Sequence, residues 1–176
     1  MSRKDRTSAH RGTDLNRRDF LTATGGAAAG AVVASALPAP AAATTAAAAD
    51  YPVIDIASLD DLAPGTELAF EYPDPDSPAV LVRLEGAAEG GVGPDNSIVA
   101  FSLLCTHKGC PLNYLADRQM LVCPCHWSSF DPAKGGRIII GQASQALPQI
   151  ALRQEGAVVQ AVGVSGLIYG RHTNIL

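Results

Sequence analysis

Two short Cys/His segments decide the fold of this chain: Cys105-Thr106-His107-Lys108-Gly109-Cys110 and Cys123-Pro124-Cys125-His126. They hold all four cysteines of the 176-residue chain, interleaved with two of its four histidines. Cysteines spread along an exported chain would indicate a disulfide scaffold, whereas cysteines grouped with histidines indicate a metal site. The segments therefore predict one metal centre built from two loops.

The residue types narrow the metal. Thiolate and imidazole ligands suit zinc or an iron–sulfur cluster, not calcium or magnesium. A tetrahedral zinc site with two Cys and two His is a common arrangement. Such a site leaves Cys110 and Cys125 without a role, which weakens the zinc interpretation.

The sequence around these segments predicts an all-β fold. Short runs rich in β-branched and apolar residues are separated by Gly, Pro, Asp and Asn. No run after residue 50 has a helical period. We expect an antiparallel β-sandwich with the metal centre in an inserted subdomain at about 103–148. The predicted strands are 52–56, 67–72, 79–85, 98–104, 119–122, 137–140, 150–153 and 158–164, with a turn at 60–65.

The N-terminal part has the composition of an export signal. Asn16-Arg17-Arg18-Asp19-Phe20-Leu21-Thr22 precedes an Ala/Gly-rich stretch and several small-residue cleavage candidates. This order resembles a twin-arginine (Tat) signal, a route that carries folded, cofactor-loaded proteins. We expect residues 1–49 to be the signal and an Ala-rich tether, and 50–176 to be the domain. The protein would then work in the periplasm, or at the outer face of the cytoplasmic membrane if the signal stays uncleaved.

The charge distribution excludes one class of partner. Residues 1–49 hold six Lys/Arg and three Asp/Glu, whereas residues 50–176 hold seven and fourteen, for a net −7. Nucleic-acid binding needs a basic footprint, so we expect no nucleic-acid partner.

The pattern C-x-H-x-G-C … C-P-C-H resembles that of Rieske proteins, over about residues 98–148. The resemblance implies a 2Fe–2S cluster in which Cys105 and Cys123 ligate one iron and His107 and His126 the other. It also implies a disulfide between Cys110 and Cys125. Such a chain transfers single electrons, and no side chain here suits a catalytic nucleophile or base.

A wider resemblance points to one Rieske class. The segments 123–136, 140–143, 147–150 and 166–171 are similar to the small subunit of arsenite oxidase. That resemblance implies a heterodimer with a large molybdopterin subunit, and a cytochrome c or blue-copper protein as electron acceptor. The substrate-converting site would lie in the partner chain.

Three other functions stay open: a Rieske subunit of a quinol–cytochrome c complex, a Rieske domain serving a ring-hydroxylating oxygenase, and a zinc-stapled binding module. In the quinol family a Ser and a Tyr hydroxyl donate to the cluster sulfurs; here Ser128 keeps the first and Phe130 lacks the second. We also expect residues 141–148 to shield the cluster, and the apolar tail 163–176 to pack against a larger subunit.

Overall fold

The structure is a computed structural model that describes residues 50–175, and in this range the protein is an all-β domain. Ten strands are joined by loops and two short 3₁₀ helices, Leu59–Asp61 and Pro132–Lys134. Every strand pair is antiparallel. The predicted fold class is therefore confirmed. The strands are β1 (Ile54–Ser58), β2 (Glu67–Glu71), β3 (Pro78–Arg83), β4 (Ile98–Ser102), β5 (Asn113–Leu115), β6 (Met120–Val122), β7 (Ser129–Asp131), β8 (Arg137–Ile140), β9 (Gln149–Glu155) and β10 (Val158–Ser165).

Six strands form the base sheet, in the order β1-β10-β9-β4-β3-β2. Its central strand β4 is buried at all five positions, as the apolar run from Ile98 to Phe101 predicts. Successive side chains of a strand point to opposite faces. Thus Ile98 and Ala100 join one core with Leu81, while Val99 and Phe101 join a second core on the other face.

The second sheet has the order β5-β6-β7-β8 and is formed entirely by the chain between β4 and β9. It packs over the second core, to which it contributes Tyr114, Leu121 and Phe130. The inserted segment expected from the sequence is therefore a small sheet whose interior is shared with the base sheet. This shared core fixes where the two Cys/His loops stand.

Several predicted boundaries were wrong. β5 and β7 were not predicted, because three residues are too few to show a period-two pattern. The expected turn at 60–65 is present at residues 64–65, but it is preceded by a 3₁₀ helix at 59–61, capped by the Ser58 hydroxyl, that was not predicted. Gln119 lies in the turn before β6 with φ +47°, so that strand begins one residue later than predicted.

The C-terminal tail packs on its own domain, which corrects part of its predicted role. Ile168 is only 1% exposed, and its N–H donates to the side-chain oxygen of Asn174 at 2.9 Å. Arg171 binds the carboxylate of Asp74 through two nitrogens at 2.6 and 2.7 Å. Only Leu167 and Tyr169 expose large apolar groups here. The tail up to residue 175 is thus fastened to the base sheet.

The predicted twin-arginine signal and Ala-rich tether, residues 1–49, lie outside the described residues. Between residues 50 and 175 no helix has the length and apolar character to cross a membrane.

Candidate metal centre

The first Cys/His loop follows β4 directly and is closed by backbone hydrogen bonds. The N–H of Gly109 donates to the carbonyl of Cys105 at 2.8 Å, and the N–H of Cys105 donates to the carbonyl of Cys110 at 2.9 Å. Gly109 has φ +70°, a left-handed conformation that glycine adopts without steric cost. The loop therefore curls back on its first cysteine and holds His107 at its apex.

The second loop joins β6 to β7 in a similar way. The N–H of Cys123 donates to the carbonyl of Ser128 at 2.8 Å, and the N–H of Trp127 donates to the carbonyl of Cys123 at 3.0 Å. Trp127 adopts φ +60° to complete this turn. Both loops thus present a cysteine at the buried end and a histidine nearer the surface.

The structure brings the four predicted ligand residues together. The thiols of Cys105 and Cys123 are free, buried at only 1% exposed each, and close enough that Cys123 affects the ionisation of Cys105. Burial raises the pKa of the Cys105 thiol. The rings of His107 and His126 meet edge to face, with centroids 4.7 Å apart. His126 is exposed, whereas His107 is half-buried.

A metal cluster fits this donor set. Nδ1 of His107 is one of three buried side-chain nitrogen or oxygen atoms that lack a hydrogen-bond partner within residues 50–175. A buried polar atom without a partner is costly, and coordination to a metal would satisfy it. Burial disfavours the charged thiolate forms of the two cysteines, and coordination to a metal would stabilise them. Cys105, Cys123, His107 and His126 could therefore hold a two-iron cluster with its histidine end toward solvent.

The remaining two cysteines form the expected disulfide, Cys110–Cys125, with α-carbons 6.5 Å apart. It joins the two loops directly. The sulfur of Cys123 lies within 4.8 Å of both disulfide sulfurs. This grouping of three sulfurs is the disulfide beside a ligand candidate, because two of the three are already covalently paired.

A third loop, residues 141–148, contacts both Cys/His loops, as expected. The hydroxyl of Thr106 donates to the carbonyl of Gln145 at 2.8 Å. The hydroxyl oxygen of Ser128 accepts the N–H groups of Gln142 and Ala143, both at 3.0 Å. Gly141 passes so close to Ser128 that an added β-carbon would stand 2.3 Å from its α-carbon.

These contacts fix the hydroxyl of Ser128. Its oxygen already accepts two hydrogen bonds, so its single proton remains for a third group. Ser128 is fully buried, and Phe130 is fully buried in the core that contains Cys105 and Cys123. A donor at position 128 and none at 130 is the arrangement that the sequence predicts.

Comparison with known proteins decides the family. The family described as "Rieske [2Fe-2S] domain" matches residues 53–151. The chain belongs to the Rieske family. The zinc-stapled module is thereby excluded, and the centre is of the Rieske 2Fe–2S type.

Individual Rieske relatives cover most of the domain. The chain is 47% identical over 129 residues to iodate reductase subunit IdrB of Denitromonas iodatirespirans, covering 72% of this chain and 70% of that one. It is 43% identical over 93 residues to the cytochrome bc1 complex Rieske iron-sulfur subunit of Streptomyces lividans, covering 51% and 50%. The soluble domain of the Rieske protein II (soxF) from Sulfolobus acidocaldarius superposes with a TM-score of 0.63 at 25% identity, covering 70% and 83%.

Two features of the Rieske site were not predicted from the sequence: one contact and one backbone conformation. Tyr169 of the tail lies against Gly109 of the first loop, and Trp127 adopts a left-handed conformation. The first contact joins residues far apart in sequence, so no local pattern could reveal it. The left-handed conformation of Trp127 could have been predicted, because the Cys-Pro-Cys-His loop is short and needs a sharp turn before β7.

Proposed function

We propose that this chain is the electron-transfer subunit of an exported, molybdopterin-containing oxidoreductase that acts on a small oxyanion, of the arsenite oxidase type. The observation that carries the proposal is an exposed His126 ring in contact with the His107 ring, together with two buried free thiols, on a chain related to an iodate reductase subunit. When bound, a Rieske cluster takes up and gives back one electron at a time.

Each residue of the centre has a role in this proposal. The thiolates of Cys105 and Cys123 would bind one iron, and the Nδ1 atom of His107 and a ring nitrogen of His126 would bind the other. Neutral imidazoles in place of two thiolates make the cluster less negative and easier to reduce. Exposure of His126 gives a partner's redox centre close approach to the cluster.

A permanent large subunit is supported by the surface around the centre. The exposed large apolar side chains in the described range are Val53, Trp127, Ile139, Ile140, Leu167 and Tyr169. Trp127 adjoins His126, and Ile140 pairs with Ser129 beside the second loop. Leu167 and Tyr169 line a crevice with Thr106 of the first loop. Apolar groups collected at one end of a domain indicate a protein interface.

The substrate decides the direction of electron flow. Oxidation of arsenous to arsenic acid takes oxygen from water and releases two electrons and two protons, so this chain would forward two single electrons to a cytochrome c or blue-copper acceptor. Reduction of iodate consumes electrons, so the flow would be reversed. The residue resemblance favours arsenite, and the relatives' name raises iodate as the second substrate.

The test is purification of the tagged full-length chain from its own cells. We expect molybdenum to co-purify in fixed ratio with the 2Fe–2S cluster, from a periplasmic extract. The complex should reduce an artificial acceptor dye with arsenite as donor. If the complex instead oxidises a reduced viologen with iodate and shows no activity with arsenite, the substrate is iodate and not arsenite. A preparation free of molybdenum would contradict the proposal.

A second candidate, the Rieske subunit of a quinol–cytochrome c complex, has one observation in its favour, the 43% identity to a cytochrome bc1 Rieske subunit. Co-purification with b-type haem in the membrane fraction, and sensitivity of cytochrome c reduction to quinol-site inhibitors, would favour it over the molybdenum enzyme.

A further inference from the structure

Trp127 combines three properties: an exposed side chain, a left-handed backbone and a position beside a predicted ligand. Its side chain is 70% exposed, the largest exposed fraction among the large apolar residues of the described range. Its backbone lies in the left-handed region at φ +60°. It also follows His126 directly, at the exposed end of the metal centre.

The backbone conformation is imposed by the second loop. The N–H of Trp127 must reach the carbonyl of Cys123 while the carbonyl of Ser128 receives the N–H of the same cysteine. The left-handed region disfavours any residue with a β-carbon and suits glycine or asparagine. A tryptophan here strains the loop, and its exposed ring regains little burial within residues 50–175.

Two further exposed apolar side chains lie on the strand that pairs with β7, directly after the second loop, and the three loops of the centre are nearly uncharged. Ile139 is 52% exposed and Ile140 is 67% exposed. Both lie on β8, the last strand of the second sheet, whose outer edge pairs with no other strand in the described part of the chain. The loops 105–110, 123–128 and 141–148 contain no Asp or Glu and a single cation, Lys108.

We propose that Trp127 is the anchor by which this chain binds permanently to an apolar pocket on the molybdopterin-containing large subunit. The inference rests on the proposed function and names the contact that joins the two chains. The charge distribution favours the large subunit, and not the soluble electron acceptor, as the partner that binds at Trp127. A basic cytochrome would be recognised by carboxylates, and all fourteen acidic residues of 50–176 lie outside these three loops. Exposed tryptophans surrounded by apolar groups are typical binding hot spots.

The test is Trp127→Gly. If Trp127 is a docking anchor, this change should stabilise the isolated chain but weaken its binding to the large subunit. In the full chain purified alone, glycine removes the left-handed strain, so the thermal midpoint should rise by a few degrees. In the complex, loss of the anchor should weaken binding about thirtyfold, seen as loss of molybdenum from the tagged chain on dilution. Trp127→Asn should behave alike, because asparagine tolerates the left-handed region.

Val53→Ala is the matched control. Val53 is an apolar residue that is 53% exposed, but it directly precedes β1 of the base sheet and lies outside the three loops of the metal centre. It should change neither the midpoint nor the molybdenum content. The anchor role is overturned if Trp127→Gly destabilises the isolated chain, or if both Trp127 variants retain molybdenum as tightly as wild type. A wild-type chain that purifies without molybdenum overturns the proposed function as well, so the two failures are distinguishable.

Discussion

The ring of Tyr169 lies against the α-carbon of Gly109. A β-carbon added to Gly109 would stand 2.6 Å from Cδ1 and 2.7 Å from Cε1 of that ring. The neighbouring Ile168 is buried, and its N–H is held by the side chain of Asn174. A tail fastened to the base sheet therefore covers the loop that carries two of the predicted ligands.

This contact predicts that Tyr169→Ala loses the cluster faster than wild type on mild warming. Without the ring, the first loop opens more often and water reaches the cluster. An effect of about fivefold corresponds to roughly 1 kcal/mol of local opening free energy. The decay of visible absorption measures it. Tyr169→Phe should match wild type, because the contact uses ring carbons and not the hydroxyl.

Leu167→Ala is the control, because Leu167 is 49% exposed in the same tail, whereas the three atoms nearest to a β-carbon at Gly109 all belong to Tyr169. Equal decay rates for Tyr169→Ala and Leu167→Ala would show that general loosening of the tail, and not the ring on Gly109, protects the cluster.

The ion pair of Asp74 and Arg171 predicts a pH dependence. Hydrogen bonds from Arg171 lower the pKa of the Asp74 carboxyl in the folded protein. Stability from this pair is therefore complete above the unfolded pKa of about 3.9 and is lost as pH falls through the folded value. Asp74→Asn should melt earlier than wild type near neutral pH, and the difference should shrink below about pH 4. Thermal melts at several pH values check this.

Glu155→Gln is the matched control for Asp74. Its partner Arg153 lies 3.5 Å away, and both side chains are more than half exposed. Exposed pairs contribute little, so this variant should melt like wild type at every pH. A difference between Asp74→Asn and wild type that persists unchanged in acid would rule out the carboxylate as its source.

Ser128→Ala should free the third loop. The change leaves the N–H groups of Gln142 and Ala143 without their acceptor, at an expected cost of about 1–3 kcal/mol in unfolding free energy. The reduction potential should also fall, because the free hydroxyl proton no longer stabilises the reduced cluster. Ser129→Ala is the comparison, since that hydroxyl donates only to the carbonyl of Trp127. Voltammetry that finds the same potential in both variants would contradict the donor role.

Phe130→Tyr should raise the reduction potential by some tens of millivolts. The new hydroxyl enters the core shared with Cys105 and Cys123, where a donor to sulfur favours the reduced cluster. A tenfold change in the redox equilibrium corresponds to about 59 mV for one electron. Protein-film voltammetry measures the shift, and Phe130→Met controls for repacking. If a crystal structure placed the hydroxyl on a ligand sulfur and the potential did not rise, the argument would fail.

Cys110→Ser should keep the spectrum of a fresh preparation but lose cluster on heating. The disulfide links residues 15 apart in sequence. Closing a loop of this length contributes about 3 kcal/mol by restricting the unfolded chain. Cys110→Ser and the double variant Cys110→Ser/Cys125→Ser should lose cluster at the same rate, which absorbance against time at raised temperature would show. A thermal half-life equal to wild type would refute the stabilising role.

The sequence by itself determined the local parts of this protein. The predicted ligands are recognisable without knowledge of the fold, because closely spaced thiolate and imidazole groups are typical metal ligands. These residues are Cys105, His107, Cys123 and His126. β4 is predictable because four consecutive apolar residues, Ile98 to Phe101, fit a strand buried on both faces. The disulfide and the two roles of Ser128 and Phe130 came from resemblance, not from spacing.

Only the tertiary structure decided the contacts between distant segments. Tyr169 meets Gly109, and Arg171 meets Asp74, because β9 and β10 carry the tail back across the base sheet. β5 depends on its pairing with β6, and β7 on its pairing with both β6 and β8, since three residues form no stable strand alone. The strain at Trp127 likewise comes from closing a loop around a buried thiol. Such features depend on free energy shared among distant residues, which no local sequence pattern records.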